Sequence, residues 1–316
     1  MNFITLKDLT PKEMKHLIER AIEIKKLFQE NPISYMQEYG GILKNKSLLM
    51  IFEKPSLRTH LSFSVAMAQL GGNAVYYSAK DSYLGTKETM YDTAKTASRF
   101  VDIIMARLYH HSMMEELAEY ATVPVINGMT DFVHPCQVLG DLMTILEIRG
   151  RLQGIKLAYV GDGYNNTTHS LLYGCSRIGV DIAVGCPKGE EYSPMPKVVK
   201  EAKKFAQESG SKVEIFHDAE SAVKGADIVY TDSWMSYHVP KEKEAERVKI
   251  FEPFKVTQRL MSLAEPGANF MHCLPAWREH EQTAEVIDGP QSIVFDQAEN
   301  RLHIQKTIIL KLLGKL

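Results

Sequence analysis

The chain has 316 residues, 45% hydrophobic and 24% charged, an ordinary globular composition that fits about two domains at roughly 150 residues each. Lys+Arg 37 against Asp+Glu 39 leaves a formal charge of −2, without the basic excess that nucleic acid or an acidic membrane surface would call for. Apolar runs such as 48-LLMIF-52 fall far short of the ~20 residues that cross a bilayer, and no two of the four cysteines form a CxxC pair, so neither a metal site nor a disulfide framework is expected.

The first element is the plainest. Thr10-Pro11-Lys12-Glu13 reads as a capping box with proline at the first helical position, and Met14, Leu17, Ile18, Ala21, Ile24, Leu27 and Phe28 mark one apolar stripe. Acids and bases are mixed through the first 30 residues, which fits neither a signal nor a transit peptide, so a cytoplasmic location is expected. Strands rich in Val, Ile, Tyr and Phe are predicted at 47–52, 74–78, 102–106, 123–127, 156–160, 181–184, 213–216, 227–230, 269–271 and 292–295. Helical spacing fills most of the gaps between them. One such stretch, 61–72, follows 53-EKPSLRTH-60; another, about 137–148, precedes an expected domain divide near 149–153, giving domains 1–150 and 151–316. The most polar segment, 241-KEKEAER-247, reads as a solvated loop or helix, and a closing helix is predicted at about 302–313. The alternation argues for an α/β fold of two doubly wound parallel sheets.

In such sheets ligands bind beyond the carboxyl ends of the strands, and several of those ends carry polar clusters. In 55-PSLRTH-60 a strand runs into a helix, where free N–H groups favour an anion. Ser56 and Thr59 add hydroxyl donors there, and Arg58 adds a planar fork matched to phosphate oxygens; the plainer reading is a capped helix with a surface arginine. No GxxxxGK[ST] occurs, which disfavours a P-loop NTPase. The segment 161-GDGYNN-166 puts Asn166 where a dinucleotide fingerprint needs its third glycine, and Asp181, spaced as a ribose-binding acid, begins its strand rather than ending it. A nicotinamide enzyme is therefore a weak reading. His134 and Gln137 stand one helical turn apart and can polarise a carbonyl oxygen or simply pack. Cys273 taken alone reads as core filler, and Asp232 as the cap of a turn.

Together these segments resemble the aspartate/ornithine carbamoyltransferase family. Phe52-Glu53-Lys54-Pro55-Ser56-Leu57-Arg58-Thr59 is similar to its carbamoyl-phosphate motif, and His134-Pro135-Cys136-Gln137 to its HPxQ motif. Asp232-Ser233-Trp234, His272-Cys273-Leu274-Pro275 and Ala298-Glu299-Asn300-Arg301 resemble the ornithine branch, and the matches keep the family's order from about residue 3 to residue 313. The resemblance implies two doubly wound halves, the first binding carbamoyl phosphate and the second the amine, with the C-terminal helix returning to the first. It implies a homotrimer or an assembly of trimers, with the 81-DSYLGTKET-89 loop, and Lys87 in particular, reaching a neighbour's site.

By that resemblance the reaction carries the carbamoyl group of carbamoyl phosphate to the side-chain amine of ornithine. The amine attacks the carbonyl carbon and phosphate leaves, a scheme that calls for no metal or organic cofactor because the leaving group is already activated. The protein must neutralise phosphate, stabilise the oxyanion and orient a neutral amine. The implied phosphate set is Ser56, the backbone of Leu57, Arg58 and Thr59, with Lys87; Arg107, His134, Gln137 and Arg301 hold the reacting group, with Cys273 and Leu274 beside it. Asp232 and Cys273, the latter as a neutral thiol, orient the amine, while Asn166, Ser236 and Tyr237 hold the amino-acid end. The chain also departs from the family. His60 and Ser64 replace an arginine and a glutamate, Ser236-Tyr237-His238 replaces Ser-Met-Gly, and the GDG loop is one residue longer. Another amine acceptor, such as putrescine or a modified ornithine, and a catalytically silent paralogue are the alternatives.

Overall fold

A computed structural model describes residues 1–81, 87–235 and 239–316. The chain divides into two compact units, Met1–Met143 with Glu299–Leu316, and Thr144–Ala298.

The first unit opens with α1 (Pro11–Glu30), where Thr10 and Glu13 form the expected capping box and Met14, Leu17, Ile18, Ala21 and Ile24 are buried. After α2 (Pro32–Glu38) come β1 (Ser47–Phe52), α3 (Leu57–Gln69), β2 (Asn73–Ser78), α4 (Met90–Ala97), β3 (Ile103–Arg107), α5 (His111–Tyr120), β4 (Val125–Met129) and the start of α6 (Pro135–Arg149). The strands form a parallel sheet in the order β2-β1-β3-β4. β1 and β3 lie inside it, and β3 is buried along its whole length, as strands covered on both faces must be. Ile51, Ile104, Ala106, Met114, Leu117 and Val125 belong to its core, where each large aliphatic side chain contributes about 1.5–3 kcal/mol.

The second unit continues with β5 (Lys156–Val160), α7 (Asn166–Ile178), β6 (Asp181–Gly185), α8 (Pro196–Ser209), β7 (Val213–Phe216), α9 (Ala219–Val223), β8 (Ile228–Thr231), α10 (Glu244–Phe251), α11 (Gln258–Met261), β9 (Asn269–His272), α12 (Ala284–Ile287) and α13 (Val294–Leu312). Its parallel sheet has the order β7-β6-β5-β8-β9. Strand order reverses at β5, where the chain leaves for one edge through β6 and returns on the other side as β8, the kind of position where α/β sheets bind ligands.

Nine predicted strands match observed ones to within about two residues. The tenth, 292–295, is a misreading. Only Ser292 makes an isolated bridge, to Phe270, and Val294 already begins α13. A short apolar run such as SIVF fits a buried strand or the first turn of a helix equally well. The same helix starts well before the predicted 302. Likewise α3 begins at Leu57, four residues ahead of the reading, because Ser56 caps it by accepting the Thr59 N–H. Among the described residues no helix is long and apolar enough to cross a membrane.

Candidate active site

In the first unit the polar residues gather at the carboxyl ends of β1 and β3. Phe52 pairs with Arg107 across these strands, so the loop after β1 and the Arg107 side chain start from one level. Ser56 is the N-cap of α3, placing Leu57, Arg58 and Thr59 in its first turn, where backbone N–H groups lack helical acceptors. The Ser56 hydroxyl donates to Thr59 Oγ1 at 3.2 Å. Arg301, buried and carried by α13, donates to Thr59 Oγ1 at 3.0 Å and to Gln137 Oε1 at 2.8 Å. Gln137 Nε2 in turn donates to Asp141, one turn along α6, at 2.8 Å. One guanidinium thus joins three segments widely separated in sequence, and it fixes which way the Gln137 amide points.

His134 precedes α6, and its carbonyl accepts the Gln137 N–H at 3.2 Å and the Val138 N–H at 3.3 Å. Its side chain is buried. That burial, and then the charges of Arg301, Arg107 and Arg58, hold its pKa well below 6.5. The imidazole is therefore neutral at physiological pH, able to donate one hydrogen bond without adding charge. Three guanidiniums around a neutral imidazole suit a dianionic ligand that also presents a carbonyl oxygen. Lys54, quoted above only as part of a motif, is a further nearby cation: desolvation and Arg107 both lower its pKa. Cys136 is core, its burial pushing the thiol up to about 12. Lys87 is exposed and follows the undescribed part of its loop.

The second unit builds its cluster by strand register. Thr231 of β8 pairs with His272 of β9, so the next residues, Asp232 and Cys273, leave neighbouring strands at one level. The Cys273 thiol donates to Asp232 Oδ1 at 3.0 Å. The Ser233 N–H donates to the same oxygen at 2.8 Å, and the Thr167 hydroxyl donates to Asp232 Oδ2 at 2.8 Å. Asp232 does accept from the turn that follows it, yet its two other bonds lock it against a thiol and α7. Thr167 was missed by sequence reasoning; its signal was only its nearness to Asn166. Asn166 is buried at the start of α7, beside the cap Asn165, which accepts the Thr168 N–H at 2.7 Å and donates to the Tyr159 hydroxyl at 2.7 Å. Leu274 adopts a left-handed conformation, φ 54°, and its N–H donates to His272 Nδ1 at 2.9 Å. Ser236, Tyr237 and His238 lie outside the described residues.

Asp232, His272 and Cys273 bring potential metal-ligating atoms within 4.8 Å of one another. The Cys273 thiol donates to Asp232 and Nδ1 of His272 accepts from Leu274, so hydrogen bonds hold these side chains in place.

One expectation is corrected by the structure, and other readings gain a local explanation. The segment 241–247 is not wholly solvated: Arg247 is buried, donating to Asp162 at 2.6 Å and to the Trp234 carbonyl at 2.6 Å. The charge is tolerated there because it is paired and lies over the Phe251 and Tyr192 rings. His60 and Ser64 have been absorbed into packing, His60 at 4.6 Å from the Tyr76 ring and Ser64 against the Met50 sulfur. Asp181 accepts the Lys212 N–H at the amino end of its strand, which removes it from any ribose site. Gly163 packs so closely on the Tyr192 carbonyl that a Cβ would come within 2.6 Å. Its role is local packing.

The family model described as aspartate/ornithine carbamoyltransferase, carbamoyl-P binding domain, matches residues 1–147, and the Asp/Orn binding domain of the same family matches 153–312. An ornithine carbamoyltransferase of Pyrococcus abyssi is 49% identical over 313 residues, 99% of this chain and 96% of that protein. The Bacillus subtilis ornithine carbamoyltransferase is 48% identical over 314 residues, covering 99% and 94%. The solved ornithine carbamoyltransferase of Pyrococcus furiosus superposes with a TM-score of 0.92 at 48% identity, covering 100% of this chain and 97% of that one. With two family domains spanning nearly its whole length, this chain is a member of the aspartate/ornithine carbamoyltransferase family.

Proposed function

We propose that this protein transfers the carbamoyl group of carbamoyl phosphate to the side-chain amine of L-ornithine, releasing L-citrulline and phosphate. The observation that carries the choice of acceptor is the 3.0 Å bond between Cys273 and Asp232, a thiol–carboxylate pair suited to orienting an amine. The full-length likeness to proteins named ornithine carbamoyltransferase supports the same choice.

In this reading the first unit binds carbamoyl phosphate and the second binds ornithine, so domains 1–150 and 151–316 share the work, with the last helix serving the first. Ser56, Thr59, Arg58 and the Leu57 N–H take the phosphate, together with Lys87 from a neighbouring subunit. Arg107 bridges phosphate and carbonyl oxygen. Neutral His134, with the Gln137 amide held by Arg301, fixes the carbamoyl group and stabilises the oxyanion as the amine adds. Cys273 and Leu274 line the same group. Asp232 accepts an N–H of the attacking nitrogen, directing its lone pair toward the carbonyl carbon once that nitrogen has lost its proton. Asn166, Ser236 and Tyr237 hold the amino-acid end. Preorganised donors of this kind typically contribute about 2.7–4 kcal/mol each.

We also read the protein as a homotrimer or an assembly of trimers. Leu57, Leu61 and Val65 recur every four residues on one face of α3 with 70%, 51% and 37% exposure, and Val75 and Tyr76 are exposed on the edge strand β2. Such a face calls for an apolar partner. A cytoplasmic setting fits four free cysteines, three of them buried.

A second acceptor stays in view because Ser236-Tyr237-His238 and the longer GDG loop depart from the usual pattern of the ornithine branch. The test is a panel of amines (ornithine, putrescine, acylated ornithines, aspartate) assayed for ureido product and phosphate. Ornithine is expected to dominate. Strong putrescine use with none of ornithine would refute the choice of acceptor, and carbamoyl-phosphate binding without phosphate release would favour a silent paralogue.

A further inference from the structure

In the proposed reaction Arg107 and His134 act on one carbonyl group, yet Arg107 ends β3 while His134 stands beyond the end of β4. The loops that follow these two strands are laced together. The Leu108 N–H donates to the Met129 carbonyl at 3.0 Å, and the Asp131 N–H donates to the Tyr109 carbonyl at 2.9 Å. Further on, the lacing runs through side chains. The His111 N–H donates to Asp131 Oδ1 at 3.0 Å, and His111 Nδ1 lies 2.9 Å from Thr130 Oγ1.

Thr130 is fully buried at the centre of this lacing. Its hydroxyl oxygen accepts the Phe132 N–H at 3.3 Å and the Val133 N–H at 3.4 Å. Its own N–H donates to the Val133 carbonyl at 3.1 Å. These bonds close the turn 130–133 that leads into His134. With two N–H groups on its oxygen, the hydroxyl gives its proton to His111 Nδ1. The His111 proton then sits on Nε2, which faces Glu115 Oε1 at 3.8 Å.

We propose that Thr130 is a positioning residue for His134: its hydroxyl shapes the turn that delivers the imidazole and, through His111, fastens that turn to the loop leaving Arg107. The role rests on the reading that His134 holds the carbamoyl group.

Two further features agree with it. First, the ladder shifts where Arg107 leaves its strand: Ala106 pairs with Asn127 but Arg107 pairs with Met129, so Gly128 is an extra residue on β4. Such a bulge bends its strand, and here it brings the start of the turn level with Arg107. The approach is close, for a Cβ on Gly128 would come within 2.5 Å of the Met105 sulfur and 3.0 Å of the Ala106 carbonyl oxygen. Second, the His111 ring meets Phe132 edge-on with centroids 5.0 Å apart, so an apolar contact holds the same turn as the hydroxyl does. A displacement of about 1 Å at a group that must meet the reacting atoms can cost about 10²-fold in rate, which gives a fastening at this point its kinetic weight.

The test compares wild-type protein with Thr130→Val, Thr130→Ser and His111→Phe in steady-state kinetics with carbamoyl phosphate and ornithine, with inorganic phosphate as product inhibitor. Valine keeps the shape and removes the hydroxyl, and serine keeps the hydroxyl. Phenylalanine keeps a ring against Phe132 and removes the nitrogen that receives the proton. Thr130→Val should lower kcat by about tenfold or more and His111→Phe by about threefold or more, while Thr130→Ser stays within about twofold of wild type. Inhibition by phosphate should be unchanged in all three, because the anion is taken at the first turn of α3 and Arg107 is fastened to the β1 side, its carbonyl accepting the Glu53 N–H at 3.0 Å. Wild-type kcat in Thr130→Val or His111→Phe, a loss in Thr130→Ser as deep as in Thr130→Val, or phosphate inhibition weakened in step with kcat would each overturn the proposal. Where Thr130→Val does not fold, His111→Phe carries the test by the same criteria. Wild-type protein that carbamoylates no amine sinks the functional reading first, and is seen before any variant is compared.

Discussion

Arg58 stands in the first turn of α3, exposed enough to meet a ligand and close enough to His134 to act on its protonation. Arg58→Ala is expected to weaken carbamoyl-phosphate binding by about 10²-fold or more while leaving the melting curve in place; calorimetric titration with unchanged affinity would remove the residue from the phosphate set. Cys273→Ser keeps a donor toward Asp232 but shortens and hardens it. It should raise the KM for ornithine and spare that for carbamoyl phosphate, and the reverse pattern in a two-substrate assay would reassign the thiol. Lys306 bears on stability. It is fully buried on α13 among the Phe28 and Tyr35 rings, 4.6 and 4.9 Å from their centroids, and desolvation lowers it to about 8. Below that pH the lysine is charged in both folded and unfolded chains, and the full burial cost applies; as pH rises from about 8 toward 10.5 the cost disappears. Lys306→Met should therefore raise stability at pH 7 by about 1 kcal/mol, the desolvation cost being partly offset by the lost ring contacts, and the gain should shrink in alkaline denaturation series. The residues with distinctive chemistry, Arg58, His134, Asp232 and Cys273, were legible because motif and strand end coincided. Thr167 was not, since a threonine in a polar run carries no signal until the fold brings it to Asp232.

The inner strands were legible because they are buried on both faces and read as apolar runs; the edge strands β2 and β7, half-buried or exposed along most of their length, were legible from their Val, Ile, Tyr and Phe content. Helix boundaries were less so, and the reasons are local. Ser56 caps α3 only through its own turn geometry, and the start of α13 is a run of SIVF that periodicity cannot assign. The segment containing α10 was misjudged for a different reason: composition averages over a helix, and one arginine on its inner side can be buried while its neighbours are solvated. Arg247 is that residue. Arg247→Ala leaves the Asp162 carboxylate buried without its partner and frees the Trp234 carbonyl, so a loss of about 3–5 kcal/mol in chemical denaturation is expected, together with a higher KM for ornithine. A variant as stable as wild type would mean that water replaces the guanidinium at little cost. The ion pair could not be found in sequence, because Asp162 and Arg247 are 85 positions apart.

At the level of the assembled protein, the exposed α3 face and the edge strand β2 make the oligomer testable. Leu61→Glu is expected to shift sedimentation from a trimer or larger species toward the monomer, and an unchanged profile would move the interface elsewhere. Both sheets and their parallel sense were readable from the strand–helix alternation, but the closure of the first unit by the last helix came only through the family resemblance. It depends on Arg301, whose bonds to Thr59 and Gln137 span 242 and 164 positions. During translation, then, the anion cradle cannot be finished until the final helix has left the ribosome. A nascent polypeptide halted anywhere before that helix has the strands of its amino-terminal half and the Gln137–Asp141 bond, but not the guanidinium that joins Gln137 to Thr59, so the proposed cradle stays incomplete for almost the entire synthesis.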